Sequence, residues 1–297
     1  MIDKLIQGTA AGGSIRVLAA VTTGVLTEAV RRHETSPTVS AAFGRVLSGT
    51  LLLGATFKDL DRLTVRIDAK GPVESIVAET DGMGAVRGYV RNGGVEIPPH
   101  GNGKFNVAGI VGDGTLSVIR EAGFEMGLRK DPYVGSVPLV SGEIAEDFAY
   151  YLAKSEQIPS AVLLGVLLKN SEPFVAASGG ILVQMLPGAS EGLISQIETS
   201  IQNTPHVTEL IAAGAGPEGL LEEALSGLDF DILAESEVAF SCNCSFERAK
   251  ALVSALGREE VESMLRDQGG AVMTCGFCNE TYRLDGDDLN SILIGDS

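Results

Sequence analysis

Four cysteines near the C-terminus restrict what this chain can fold into more than any other feature. They form the patterns Cys242-x-Cys244 and Cys275-x-x-Cys278, and the 297-residue sequence contains no other cysteine. Thirty residues separate the two pairs. Two close pairs of thiolates on short loops, joined by an insert that can fold, are what a tetrahedral metal site requires. The sequence therefore predicts one metal centre held by Cys242, Cys244, Cys275 and Cys278.

Zinc is the metal that this ligand set favours. Four sulfur ligands suit zinc or an iron–sulfur centre, but iron–sulfur motifs generally space their ligands differently. Closing a loop of this length costs on the order of 3 kcal/mol, whereas structural zinc binding in small peptides contributes about 10–16 kcal/mol. Because a module spanning only residues 237–297 has little room for a core, we expect metal binding to supply most of its folding free energy.

The same thiolates could also serve as a redox sensor. Oxidants attack the thiolate form, which is the form that binds zinc. The two cysteines within each pair are close enough to form a disulfide, and oxidation of both pairs would remove all four metal ligands. The small ring of a Cys-x-Cys disulfide should be strained and readily reduced, as suits a reversible sensor. An inert structural zinc knuckle is equally compatible with the spacing.

The N-terminus and the longest apolar run bear on the cellular compartment. Met1-Ile2-Asp3-Lys4 lacks the basic and then apolar pattern of a secretory signal. The apolar run from Val46 to Phe57 is shorter than the roughly twenty residues needed to cross a bilayer. We therefore expect a cytoplasmic protein, where cysteines are kept reduced and bind metals or sense oxidants rather than form structural disulfides.

The negative charge of the chain is concentrated in its C-terminal part. The net charge is −17, of which residues 1–188 contribute −2 (17 basic, 19 acidic) and residues 189–297 contribute −15 (5 basic, 20 acidic). Residues 170–247 contain no Lys or Arg and twelve acidic residues. Such a surface repels phosphate groups, so nucleic acids and anionic membranes are not expected partners.

The predicted fold class is α+β, with a mixed sheet-and-helix core domain over residues 1–188. Ser36-Pro37 is typical of a helix N-cap followed by proline, and it opens a long apolar helix through Phe57. Leu63–Ala69 alternates apolar and polar residues, as a half-buried strand does. Further strands are expected at 161–168, 174–177 and 181–186, with Gly179-Gly180 as the turn between the last two.

Residues 189–236 are predicted to be a helical linker, and residues 237–297 a small C-terminal four-cysteine zinc-binding domain with two helices and a hairpin. The linker contains three short helices without an aromatic residue, and short helices are marginally stable alone. We expect its folding to depend on docking against neighbours, although an ordinary helical subdomain fits the same pattern. The apolar positions on its helices are Leu193, Ile197, Ile201, Leu210, Ile211, Leu220 and Leu221.

No motif indicates an enzyme, and no catalytic residue or organic cofactor is predicted. The histidines are isolated in the sequence and are expected to be solvated or to cap helices; they are His33, His100 and His206. Glu146 and Asp147, in a helix predicted from Gly142 to Glu156, are expected to face solvent. The sequence lacks a phosphate-binding loop and a nucleophile elbow.

Two other functions are compatible with cysteine pairs. A zinc-ribbon protein that binds nucleic acid would carry basic residues around the cysteines, and here the C-terminal part is acidic. A thiol-disulfide oxidoreductase could use Cys275-Gly276-Phe277-Cys278, but such motifs usually follow a strand and open a helix in a thioredoxin-like unit. A second cysteine pair that competes for a metal role also argues against it.

Over essentially its whole length the chain resembles the heat shock protein 33 family of redox-regulated bacterial chaperones. The most specific part of the resemblance is Cys242-x-Cys244 with Cys275-x-x-Cys278 at this separation. The supporting segments are Arg31-Arg32-His33, Tyr150-Tyr151-Leu152, Ser155-Glu156-Gln157-Ile158-Pro159, Gly179-Gly180 and Gln184-Met185-Leu186-Pro187-Gly188.

The resemblance implies an ATP-independent holdase that binds unfolded proteins under oxidative and heat stress. It implies that the reduced protein is inactive and binds one Zn²⁺ through all four cysteines. Oxidation would form the disulfides Cys242–Cys244 and Cys275–Cys278, release the zinc and unfold the zinc-binding domain. The linker would then loosen and expose apolar surface to unfolded or misfolded client proteins. The active form would be a homodimer.

Overall fold

A computed structural model describes residues 2–58, 60–101, 103–122, 124–125, 128–129, 131–172 and 174–295. The chain divides into two compact units, Met1–Ser241 and Cys242–Ser297. Both contain helices and antiparallel strands, so the predicted mixed sheet-and-helix fold is confirmed. None of the described helices combines the length and the apolar composition that crossing a membrane requires.

The elements are numbered in chain order. The strands are β1 (Lys4–Ala10), β2 (Ile15–Val21), β3 (Leu60–Ala69), β4 (Ser75–Thr80), β5 (Ala85–Val90), β6 (Gly114–Ala122), β7 (Phe124–Glu125), β8 (Leu128–Arg129), β9 (Tyr133–Pro138), β10 (Ser160–Leu168), β11 (Val175–Met185), β12 (Phe230–Glu237), β13 (Ala239–Phe240), β14 (Ala271–Thr274) and β15 (Thr281–Leu284). The helices are α1 (Thr23–His33), α2 (Pro37–Gly54), α3 (Val107–Val111), α4 (Ala145–Lys154), α5 (Glu191–Asn203), α6 (Val207–Ala212), α7 (Pro217–Leu225), α8 (Phe246–Ser254), α9 (Arg258–Gln268) and α10 (Gly286–Gly295).

Helix α2 lies between two sheets in the first unit. One sheet has the order β10-β11-β2-β1-β12, and the other has the order β13-β5-β4-β3-β6-β9. The helix contacts β10 and β11 of the first sheet and β3, β4 and β5 of the second, which is why nearly all of its residues are buried. The helix begins at Pro37, as predicted. In its first turn the Thr38 amide donates a hydrogen bond of 2.9 Å to the Glu96 carboxylate. A helix that is apolar on all sides requires such a position.

Helices α6 and α7 pack on the other face of the five-stranded sheet, and α5 packs against α7 and contributes to the same core. The three helices predicted for residues 189–236 are therefore present, and they belong to the first compact unit. Their side chains in this second core are Ile197, Val207, Ile211, Leu220, Leu221, Ala224 and Leu225. The segment ends in β12, a strand that the sequence interpretation missed, which pairs with β1 at the sheet edge.

Gly179-Gly180 does not form the predicted turn but lies inside the continuous strand β11. A Cβ atom at Gly179 would lie 2.4 Å from the carbonyl oxygen of Ala20, and one at Gly180 would lie 2.8 Å from that of Leu163. These two carbonyls belong to the strands on either side of β11. The glycines therefore permit close backbone approach in the middle of the sheet rather than a reversal of the chain.

Asp147 is fully buried, so the prediction that it faces solvent is wrong. Its Oδ1 accepts hydrogen bonds from the amides of Val140 (2.7 Å) and Ser141 (3.0 Å), and its Oδ2 accepts one from the amide of Ile144 (3.0 Å). Glu146, one position earlier, is exposed as predicted. The Asp147 carboxylate thus fixes the turn that leads into α4.

We expect Asp147→Ala to lower the free energy of unfolding of the first unit by about 3–5 kcal/mol. The substitution leaves three backbone amides without their acceptor, and each such loss costs about 1–3 kcal/mol when the group stays buried. Chemical denaturation followed by circular dichroism measures the change. Glu146→Ala in the same helical turn is the matched control and should change stability by less than about 0.5 kcal/mol. Equal effects of the two substitutions would contradict this account.

The second unit is small and has its own core. The hairpin of β14 and β15 pairs Ala271 with Leu284 through Thr274 with Thr281. Helices α8, α9 and α10 complete the unit. Its buried apolar residues are Ala249, Val253, Val261, Ala271, Leu284, Leu289 and Ile292. A core of this size gives limited hydrophobic stabilisation, which agrees with the expectation that a metal is needed.

Candidate metal centre

The second cysteine pair lies at the closed end of the β14–β15 hairpin. The Cys275 amide donates to the Glu280 carbonyl at 2.9 Å, and the Asn279 amide donates to the Cys275 carbonyl at 2.8 Å. Asn279 has a φ of 55°, a left-handed conformation that asparagine tolerates better than most residues. These hydrogen bonds form a tight turn, and the sulfur atoms of Cys275 and Cys278 lie close together.

The first cysteine pair lies in the loop that leads into α8. The Ser245 hydroxyl accepts a hydrogen bond of 3.2 Å from the Arg248 amide, which makes Ser245 the N-cap of this helix. The Arg248 guanidinium donates to the carbonyl of Asn243 at 2.6 Å, between the two cysteines. The helix therefore fixes the loop that presents Cys242 and Cys244.

The four sulfur atoms form one cluster. The Sγ atoms of Cys242 and Cys275 are 3.7 Å apart, those of Cys244 and Cys278 are 3.3 Å apart, and all four lie within 4.8 Å of one another. Zinc–sulfur bonds of about 2.3 Å in a tetrahedron place the sulfur atoms about 3.8 Å apart, whereas a disulfide bond is about 2.05 Å long. The cluster therefore has the spacing of metal ligands.

Two thiols of this cluster, those of Cys244 and Cys278, have a pKa above the ordinary value. Burial raises the pKa of Cys278, the neighbouring thiols raise it further, and a hydrogen bond from the Glu280 backbone opposes them. Burial also raises the pKa of Cys244, against the hydrogen bond that Tyr282 donates. Cys244 and Cys278 therefore resist carrying charge unless a cation compensates them. Metal binding would thus displace protons, and metal affinity should fall as the pH decreases.

All four predicted ligands come together, and the sequence interpretation missed one neighbour. The Tyr282 hydroxyl donates to Cys244 Sγ at 3.1 Å. Tyr282 pairs with Met273 across the hairpin, two positions before Cys275. Strand alternation places residues two apart on one face, so the sequence contained a signal for a tyrosine on the cysteine side.

The histidines do not contribute to a second cluster of this kind. Among the described residues, the four cysteines are the one group of three or more His, Cys, Asp or Glu side chains with converging ligand atoms. His33 packs edge-on against Phe43 with ring centroids 5.8 Å apart, and His206 occupies the N-cap position of α6. His100 is exposed.

Comparison with known proteins gives a consistent result over the whole chain. A family model described as Hsp33 protein matches residues 3–285. The 33 kDa chaperonin of Geobacter sulfurreducens is 45% identical over 291 residues, covering 98% of this chain and 94% of the relative. That of Desulforamulus reducens is 42% identical over 293 residues, covering 99% and 98%. The crystal structure of the 33 kDa chaperonin (heat shock protein 33 homolog) of Thermotoga maritima superposes with a TM-score of 0.88 at 35% identity, covering 100% of this chain and 99% of that one.

Proposed function

This chain belongs to the Hsp33 family, and from that premise we propose that it is a redox-regulated, ATP-independent holdase rather than an enzyme. The relatives that it resembles are named chaperonins. The observation that carries the redox part of the proposal is the cluster of four sulfur atoms on two separate loops. In this proposal Cys242, Cys244, Cys275 and Cys278 hold one zinc ion when reduced, and the reduced protein is inactive. The protein acts in the cytoplasm under oxidative and heat stress.

Activation consists of the oxidation of both cysteine pairs by a peroxide. Each pair forms an intrapair disulfide, Cys242–Cys244 or Cys275–Cys278. Two thiolates, one hydrogen peroxide and two protons give one disulfide and two waters, so both pairs together consume two peroxides and four protons. A disulfide sulfur is a poor zinc ligand because only the thiolate binds well. Oxidation thus leaves the metal without ligands.

Loss of the metal would destabilise the C-terminal domain and then the linker at 189–236. Helices α5, α6 and α7 contain 13, 6 and 9 residues, and helices this short depend on tertiary packing. Their apolar side chains pack on the five-stranded sheet in the second core of the first unit. When they loosen, this apolar surface becomes available to unfolded proteins. The activated form is a homodimer in this proposal.

Two structural observations weigh against the rival functions. The Cys275–Cys278 turn joins two strands instead of opening a helix, which does not suit a thiol-disulfide oxidoreductase. Residues 242–297 contain five basic and ten acidic residues, which is the wrong charge for a nucleic-acid-binding zinc ribbon.

The decisive experiment follows metal release and chaperone activity in one sample. Reduced, zinc-loaded protein is treated with hydrogen peroxide at elevated temperature without ATP. A chromogenic chelator records zinc, and light scattering records aggregation of a denatured client protein. We expect one zinc per chain to be released as aggregation becomes suppressed, and thiol reduction to reverse the effect. Zinc release without suppression would contradict the switch, and turnover in an insulin-reduction assay would favour the oxidoreductase.

A further inference from the structure

Tyr282 connects the two halves of the cysteine cluster. The residue lies on β15, the strand that follows Cys278, and its hydroxyl donates to the sulfur of Cys244 in the other loop at 3.1 Å. Its ring packs at the edge of the core of the second unit, which holds the hydroxyl in place. The contact therefore joins the Cys-x-Cys loop to the hairpin through a side chain that is not itself a metal ligand.

We propose that Tyr282 is a positioning residue that holds Cys244 in the ligand set and slows its reaction with peroxides. This inference deepens the proposed redox switch and rests on it for its physiological meaning. Hydrogen bonds from neighbouring groups orient metal ligands, and their loss typically lowers metal affinity 10- to 100-fold. When the metal is bound, Cys244 is already a thiolate and its thiolate fraction cannot rise further. A hydroxyl that donates to this thiolate stabilises the negative charge on sulfur and so reduces its nucleophilicity.

The effect on reactivity follows from the chemistry of the first oxidation step. The Cys244 thiolate attacks one peroxide oxygen, the O–O bond breaks, and the departing hydroxide takes a proton to become water. Cys244 is now a sulfenic acid. The Cys242 thiolate attacks this sulfur, the S–S bond forms, the S–O bond breaks, and the second hydroxide leaves as water after protonation. The attack uses electron density on Cys244 Sγ that the Tyr282 hydrogen bond stabilises, so the bond must weaken in the transition state.

The test is Tyr282→Phe, which removes the hydroxyl and keeps the ring that packs in the core. The matched control is Thr281→Val, which removes a hydroxyl from the neighbouring residue of the same strand. The Thr281 hydroxyl contacts that of Thr274 at 3.3 Å. Thermal unfolding and metal content first establish that each variant is folded and binds one metal.

Three measurements then distinguish a Tyr282 hydroxyl that alters the chemistry of Cys244 from a Tyr282 ring that only packs in the core. We expect Tyr282→Phe to bind zinc about 10-fold more weakly in chelator competition. The sulfur-to-cobalt charge-transfer band of the Co²⁺-substituted protein should shift, and mass spectrometry should show Cys244 oxidised by peroxide about 5- to 10-fold faster. Thr281→Val should match the parent protein in all three.

The outcomes also distinguish this inference from the proposed function. An unchanged cobalt spectrum and oxidation rate in Tyr282→Phe would overturn the inference, even if the parent protein behaves as a redox-activated chaperone. Complete loss of metal uptake would also overturn it, because the hydroxyl would then be required for folding rather than for tuning. Faster oxidation of Cys244 without any gain of chaperone activity would support the role of Tyr282 and contradict the proposed function.

Discussion

Cys278→Ser is expected to abolish tight zinc binding and to unfold residues 242–297, while the part of the first unit outside the linker at 189–236 remains folded. Cys278 is the most buried of the four cysteines. A serine hydroxyl is not ionised at neutral pH and cannot replace a thiolate ligand. We expect zinc affinity to fall by more than about 100-fold, which exceeds the effect of losing a hydrogen bond to a ligand.

The reason for unfolding is the small size of the core in this unit. Seven buried apolar residues in three helices and a hairpin provide little hydrophobic stabilisation without the metal. Structural zinc contributes about 10–16 kcal/mol in comparable peptides, so its loss removes a free energy comparable to the whole stability of an ordinary domain, about 5–15 kcal/mol. Hydrogen exchange by mass spectrometry should show rapid exchange throughout α8, α9 and α10.

A control on the same hairpin separates metal binding from a general effect of substitution. Thr274→Ser changes the exposed residue before Cys275 and leaves all four sulfur ligands in place. It should bind one zinc and retain protection from exchange. If Cys278→Ser retained that protection as well, the metal would not be the main source of stability in this unit.

Because Cys278→Ser lacks the reduced, zinc-bound state, this variant should also suppress client aggregation without an oxidant.

The metal centre was predictable from the sequence because its determinants are local. Each cysteine pair occupies one short loop, so identity and spacing define the ligand set without knowledge of the rest of the fold. Alternation along β15 places Tyr282 on the cysteine side once its pairing with Met273 is known. A side chain that supports a ligand has no motif of its own, however, and becomes evident only when the hairpin register is known.

The features that escaped prediction depend on residues far away in the chain. Strand β12 pairs with β1, and Lys4 lies opposite Glu237. The partner strand is therefore near the other end of the sequence, and no residue near position 230 indicates this pairing. Gly179-Gly180 has the composition of a turn, yet the adjacent strands require glycine there because their backbones approach closely. Asp147 is buried because three amides of the preceding turn need an acceptor. Tertiary contacts override local preference at each of these positions.

Leu221→Asp is expected to give a protein that suppresses aggregation while still reduced and zinc-loaded. Leu221 lies on α7 and is fully buried in the core that joins α5–α7 to the five-stranded sheet. Truncating a buried leucine costs about 2–5 kcal/mol, and placing a carboxylate there adds a desolvation penalty. Since these helices are short, the loss should release them from the sheet without an oxidative signal.

The measurement compares three properties of the same preparation. Zinc content should stay at one per chain, because the four cysteines and the core around them lie in the second compact unit. Hydrogen exchange in α5, α6 and α7 should accelerate at least about 30-fold, in line with a local destabilisation of about 2 kcal/mol or more. Light scattering of a denatured client protein should show suppression without peroxide. Glu222→Gln, at the next and exposed position of α7, is the matched control and should leave all three unchanged.

This variant separates the two halves of the proposed switch, because it removes the packing of the linker while leaving the sensor intact. If α5–α7 exchange rapidly and aggregation is still not suppressed, the surface beneath or on these helices does not bind clients, and the cysteines must act through another part of the molecule. If the helices stay protected, they are held by more than the apolar contacts of α7, and metal loss alone would not release them. Suppression of aggregation with zinc still bound is the result that identifies the undocking of α5–α7, rather than the oxidation itself, as the activating event.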